Sequence, residues 1–145
     1  MKIMVSACLL VENCKYNGRN NRNEKLLQLL SDHNVIPVCP EVLGGLPTPR
    51  ISAEIVNGEV KNREGVSVNT AFRQGAEKAL QIAMQETPDL IILQSRSPSC
   101  GVNRVYDGTF SGRLIPGQGI FAAMAREAGF SVIDVDDFLK DGISQ

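Results

Sequence analysis

The segment that most constrains this chain is its most apolar run, Leu90-Ile91-Ile92-Leu93, with the turn that follows, Ser97-Pro98-Ser99-Cys100-Gly101. A short unbroken apolar run bounded by turn formers reads as a strand buried on both faces. In open α/β sheets, ligands bind outside the carboxyl ends of such strands. Two other segments repeat the arrangement. Ile3-Met4-Val5 precedes Ser6-Ala7-Cys8, and Val35-Ile36-Pro37-Val38 runs into Cys39-Pro40-Glu41. Three strands with a cysteine at the same end of each point to one site.

Helical patterns separate the strands. Leu26, Leu27, Leu29 and Leu30 give an apolar side to a helix over about Arg22 to His33. Val68, Ala71, Phe72, Gly75, Ala76, Ala79, Leu80 and Ala83 form the stripe of a longer helix, for which Ser67 is the expected N-cap. A third helix spans about Gly117 to Ala128 and closes with Gly129 at C′. A strand, Ser131 to Val135, and a short C-terminal helix follow it. Asn57-Gly58, between Glu54-Ile55-Val56 and Glu59-Val60-Lys61, signals a hairpin. Gly44 to Arg50 holds two prolines that exclude helix, and Asn17-Gly18 marks a turn. From Gly101 to Pro116 neither period registers, which predicts a long loop of the kind that tends to be functional. The expected fold is α/β: a three-layer sandwich with a mostly parallel, Rossmann-like sheet and a β-hairpin insertion, in a single domain spanning residues 1–145.

A chain of 145 residues buries enough surface to need no covalent staples. Its 15 basic and 16 acidic side chains leave a net charge of −1. That near-balance argues against nucleic-acid or membrane binding driven by charge. The first strand begins at once, leaving no room for a signal peptide, and no apolar run approaches the roughly 20 residues that span a bilayer. The expectation is a cytoplasmic protein. In that compartment the four cysteines read as thiols, metal ligands or catalytic groups rather than disulfides.

Thiolates are soft ligands for iron–sulfur clusters, zinc and copper(I). A structural zinc site closes with four ligands, often in paired C-x-x-C turns, and this chain has no C-x-x-C pair. Cys8, Cys39 and Cys100 lie dozens of residues apart, so only a folded sheet can gather them. Three cysteines on a four-iron cluster leave one iron open to act as a Lewis acid. The alternative is that they are small buried hydrophobes, as free cysteines often are.

Ser6-Ala7-Cys8-Leu9-Leu10, Cys39-Pro40-Glu41, Gly44-Gly45-Leu46-Pro47-Thr48-Pro49-Arg50, Ser97-Pro98-Ser99-Cys100-Gly101 and Tyr106-Asp107-Gly108-Thr109-Phe110-Ser111-Gly112 occur in this order from end to end of the chain. Together they resemble the bacterial thiouracil/thiouridine desulfidase family. The resemblance implies a 4Fe–4S cluster held by Cys8, Cys39 and Cys100, with an iron that takes the substrate's sulfur. It places the family's catalytic glutamate on Glu41 and its serine on Ser97. The implied reaction replaces the thiocarbonyl sulfur of a thiouracil- or thiouridine-type pyrimidine with oxygen, without net redox change, and releases hydrosulfide. The partner would be a small-molecule thiolated base, nucleoside or nucleotide. The loop from Val11 to Gly18 departs from the family's Gly-x-x-Cys-Arg-Tyr-Asp-Gly at Val11, Lys15 and Asn17, and Gln94 stands where a lysine is usual.

Read as chemistry, Glu41 lies two residues from a ligand and suits proton abstraction from water; a surface carboxylate or helix cap is the plainer reading. Ser97 either orients water or ring, or simply forms the turn. Arg50, Ser99, Tyr106 and Phe110 are the candidate substrate-binding residues. The arginine would hold polar groups, as would Arg96 and Arg104, although a solvated side chain is the default for each of the three, and the aromatics would either stack on a base or pack beneath the loop. Cys14 is read as an ordinary loop cysteine in preference to a spare ligand or reactive thiol. His33, the lone histidine, sits near a helix end and is not assigned to catalysis. Gly117-Gln118-Gly119-Ile120-Phe121-Ala122 matches G-x-G-x-x-A but follows a loop, so the dinucleotide reading fails, although its helix N-terminus is left open to an anion. A second functional class is a metal- or cluster-binding module, sensor or sulfur carrier without turnover. A third, a cysteine nucleophile, lacks any partner histidine beyond His33.

Overall fold

The computed structural model describes residues 1–10 and 13–141; Val11 and Glu12 of the loop after the first strand lie outside them. Four strands form the main sheet: β1 (Lys2–Ser6), β2 (Asn34–Val38), β5 (Leu90–Leu93) and β8 (Val132–Asp134). Their spatial order is β2-β1-β5-β8, and every pairing is parallel. The α/β fold is therefore as the alternation of elements predicts. Ile91 and Ile92 have no exposed surface, as the unbroken apolar run requires of a strand covered on both sides.

Each face takes alternate side chains from the strands. On one side Met4, Val38, Ile91 and Leu93 meet Ala76, Ala79 and Ala83 of α3 (Asn69–Glu86) and Phe121, Ala122 and Ala125 of α4 (Ile120–Glu127). On the other, Ile3, Val5 and Ile92 meet Leu26 and Leu30 at α1 (Glu24–Leu29) and Val135 and Phe138 of α5 (Val135–Asp141). The period of two along β1 and β5 thus divides one sheet between two cores, giving three layers.

Local chemistry explains most boundaries. Asn23 caps α1 by accepting from the Leu26 N–H at 3.0 Å, which starts the helix at Glu24 rather than at about Arg22. The hairpin of β3 (Ala53–Val56) and β4 (Glu59–Asn62) turns on Asn57 and Gly58, at φ 51° and 80°, the left-handed pair that a two-residue turn demands. Ser67 is not the N-cap of α3. Val68 occupies that position, and the Asn69 side chain accepts from the Val60 N–H at 3.1 Å, so the hairpin rather than a cap anchors the helix start. Gly129 follows α4 at φ 96°.

Two elements depart from the sequence expectation. The stretch read as a long loop contains a small antiparallel ribbon, β6 (Arg104–Tyr106) with β7 (Leu114–Pro116). Strands of three residues are too short for a period of two to register, and only Val105 among them is buried. The other is α2 (Pro40–Leu43), a single turn with proline at its first position, which suits that site because its missing N–H would be unpaired there anyway.

Glycines set how closely α2 approaches α3. A Cβ on Gly75 would overlap the Pro40 carbonyl oxygen, and one on Gly44 would overlap the Ala71 carbonyl oxygen. No larger residue fits without separating the two helices. Gly75→Ala is accordingly expected to lower stability by about 1–3 kcal/mol despite alanine's better helix propensity, whereas exposed Gln74→Ala stays within about 0.5 kcal/mol. Urea unfolding of the two variants checks this.

Candidate functional site

Because β1, β2 and β5 are neighbouring parallel strands, the segments that leave them emerge side by side at one edge of the sheet. There a cavity of about 660 Å³ opens, lined by residues from all three exits and from the β3–β4 hairpin and the β6–β7 ribbon. Cys8 reaches it from a 3₁₀ turn (Ala7–Leu9) after β1, Cys39 from the cap of α2, and Cys100 from the turn beyond β5. The structure thus brings together the three thiols that the sequence pattern singled out, all of them outside disulfides.

The Cys100 turn is fixed by α4. The Ile120 N–H donates to the Pro98 carbonyl at 2.8 Å, and the Phe121 and Ala122 N–H groups both donate to the Ser99 carbonyl, at 3.0 and 3.1 Å. The unpaired donors of a helix N-terminus therefore hold the Ser-Pro-Ser-Cys-Gly turn and are not open to an anion. Gly119 makes this possible, since a Cβ there would overlap the Ser99 carbonyl. Within the turn, Ser97 Oγ accepts from the Ser99 and Cys100 N–H groups at 3.0 and 2.8 Å. With its oxygen so occupied, the single hydroxyl proton of this cavity-lining serine is left to donate, to the Cys100 sulfur or to a group in the cavity. Ser99 is fully buried, its hydroxyl lacks a partner among the described residues, and it does not line the cavity.

Glu41, in the first turn of α2, faces Arg50. The guanidinium donates from Nε and Nη2 to Glu41 Oε1 at 3.2 and 2.9 Å. Its remaining reach is spent on the Cys14 carbonyl at 2.9 Å, the Pro47 carbonyl at 3.1 Å and Thr48 Oγ1 at 3.1 Å. Arg50 therefore ties α2, the Cys14 loop and the proline turn together while lining the cavity for which it is a substrate-binding candidate. Both bonds to Glu41 fall on Oε1, and Oε2 accepts none from the described residues.

Tyr106 and Phe110 also line the cavity. Two residues that sequence reading missed stand beside them. Arg63 places its guanidinium carbon 5.2 Å from the Phe110 ring centroid, and Glu54 accepts from the loop backbone beneath that ring. Glu54 sits in the alternating hairpin pattern, where nothing local distinguishes it from a solvent-facing carboxylate. Arg96 lines the cavity with a left-handed backbone (φ 71°), whereas Arg104 is exposed and lies outside it. His33 is remote, its Nδ1 3.1 Å from the N-terminal amine, and does not line the cavity.

Cys14 is more than a solvent-facing loop residue. It is 8 % exposed, lines the same cavity, and its carbonyl accepts from the Cys39 thiol at 3.8 Å. The Cys14 thiol, hydrogen-bonded to Cys39, and burial together push the Cys39 thiol upward. Burial pushes Cys100 up to about 12, against hydrogen bonds from Ser6 and Ser97 that favour its thiolate. Cys8 Sγ takes a longer contact from Asn21 Nδ2 at 3.9 Å. Among the described residues no three His, Cys, Asp or Glu side chains converge as ligands of a single metal ion would. A multi-iron cluster makes a different demand, because its thiolates bind different irons and surround a volume. Three soft donors around one cavity fit such a group. In protein prepared without metal, the protonated Cys100 thiol stabilises the fold below its ordinary value of 9.0, and this contribution is lost as pH rises toward about 12. Urea titrations are expected to show stability falling across that window, less steeply in Cys100→Ala.

Residues 3–137 match the 2-thiouracil desulfurase family. The chain is similar to the protein YbbK of Bacillus subtilis (strain 168), with 37 % identity over 145 residues, covering 93 % of this chain and 96 % of that one. Its fold is similar to that of TudS, a [4Fe-4S]-dependent thiouracil desulfidase, with a TM-score of 0.88 and 37 % identity over 97 % of this chain and 93 % of that one. A family match over residues 3–137 and a structural match over nearly the whole length lead to one conclusion: the chain belongs to the 2-thiouracil desulfurase family.

Proposed function

We propose that this protein is a non-redox desulfidase that replaces the C=S group of a thiouracil- or 4-thiouridine-type pyrimidine with C=O and releases hydrosulfide. The observation that carries the reading is the meeting of Cys8, Cys39 and Cys100 with Glu41 and Ser97 in one cavity. The three thiols would hold a 4Fe–4S cluster, the cofactor named for TudS. When bound, the cluster supplies Lewis acidity and an affinity for sulfur.

The chain's own groups account for the rest of the exchange. Water brings the oxygen and its two protons, and the thiocarbonyl carbon trades its bond to sulfur for one to oxygen. Glu41, with Oε1 tied to Arg50, presents Oε2 as the acceptor for a proton of that water. Ser97, whose oxygen is occupied by two backbone N–H groups, turns its single hydroxyl proton from the Cys100 sulfur to the ring or the water when substrate binds, in a hydrogen bond that orients it. Tyr106 and Phe110 offer planar surfaces to the pyrimidine.

Anaerobic reconstitution with iron and sulfide tests the centre. Wild type is expected to hold about four irons per chain. Cys8→Ala, Cys39→Ala and Cys100→Ala should lose them, while Cys14→Ala keeps them. Wild type binding zinc alone, or no metal, would replace this reading with that of a binding module without its own chemistry. A second prediction separates enzyme from carrier. Glu41→Gln and Ser97→Ala retain the iron but slow hydrosulfide release from 4-thiouracil and 4-thiouridine by about 10²-fold or more. Full activity in Glu41→Gln would remove that residue from the mechanism.

A further inference from the structure

Glu54 is a buried carboxylate that the exchange of sulfur for oxygen leaves unused. It lies within β3, is 8 % exposed, and forms no ion pair among the described residues. A charge in such a place is costly unless hydrogen bonds compensate it. Two do: Oε1 accepts the Gly108 N–H at 3.0 Å and the Phe110 N–H at 3.1 Å. Both donors belong to residues with left-handed backbone, φ 93° at Gly108 and 58° at Phe110. Backbone that alternates in this way turns amides two residues apart toward one anion, here a side chain of the protein itself, while the Thr109 N–H between them is taken by Asp107 Oδ1 at 2.9 Å.

The backbone of Phe110 is uncommon for a residue with a Cβ and persists only where its surroundings impose it. What it achieves is the placement of the ring on the cavity wall, with the Arg63 guanidinium 5.2 Å from its centroid. Arg63 comes from the turn after β4, the partner strand of β3, so one hairpin supplies both the arginine and the carboxylate that holds the phenylalanine. We propose that Glu54 is a positioning residue for ring binding: through the Gly108 and Phe110 amides it sets the Phe110–Arg63 wall against which the planar substrate packs. The identity of that ring as a thiolated pyrimidine rests on the function proposed above. Glu54 itself lines the cavity, and the hydrogen bonds its carboxylate accepts from the described residues all come from backbone.

The test uses iron-loaded protein and 4-thiouracil, measuring kcat, KM, iron content and, by calorimetry, the Kd. Glu54→Leu is expected to raise KM and Kd about tenfold, the scale of one lost stacking contact, with kcat and iron content within about twofold. Glu54→Gln keeps an acceptor oxygen without the charge and should raise them only about threefold. Phe110→Leu should match Glu54→Leu, and adding either Glu54 substitution to Phe110→Leu should change KM and Kd little further, since the carboxylate acts through that ring. If Glu54→Leu does not fold, Glu54→Gln alone and combined with Phe110→Leu decides the matter. Unchanged KM and Kd, a fall in kcat alone, or additive effects in the double variant would overturn the assignment. Wild type that binds 4-thiouracil without turning it over would refute the proposed function and leave Glu54 to be judged on Kd; wild type that does not bind it would refute both.

Discussion

Parallel pairing is the constraint on which the rest of this molecule depends. β1 lies between β2 and β5 and runs the same way as both, so the chain leaves all three strands at one edge of the sheet. Antiparallel strands would have sent alternate exits to opposite edges. Each exit here carries a cysteine to the same cavity, and none of the three segments needs to be near another in sequence. The burial of Ile91 and Ile92 beneath helices on both faces makes that pairing rigid enough to hold donors in place.

Around that edge, short polar ties replace a larger apolar core. The α4 N-terminus spends its unpaired donors on the Cys100 turn, and Arg50 joins Glu41 to the loop that carries Cys14. Close backbone contacts at Gly75 and Gly119 let these elements approach. The outcome is a site in which carboxylate, hydroxyl and thiols each have one side fixed by the protein and one side facing the cavity. Pre-organisation of this kind is what the proposed exchange of sulfur for oxygen at a ring carbon requires.

Residues that do similar jobs differed in how well they could be read. Cys8, Cys39 and Cys100 stood out because each follows an apolar run, a local pattern. Glu54 and Arg63 did not, because their partners, Gly108 and Phe110, lie on a ribbon whose strands are too short to show a period. Arg50 is a binding candidate by sequence and lines the cavity, but a sequence cannot say that four other groups share its donors. Ser99, in the middle of a cysteine-bearing turn, is enclosed because α4 closes over that turn. Cys14 is a loop residue by sequence, but its carbonyl accepts from both the Cys39 thiol and Arg50, partners that lie 25 and 36 residues away.

By itself the sequence determined the α/β alternation, the parallel sheet, the hairpin at Asn57-Gly58 and the three strand-end cysteines. Those features arise from hydrophobic period, turn chemistry and the one-ended geometry of parallel strands, all of which act over a few residues. Only the tertiary structure decided which polar groups remain free. Whether an arginine binds a ligand or a neighbour, or a carboxylate faces water or a backbone cradle, depends on groups tens of residues away, and no local pattern records that distance.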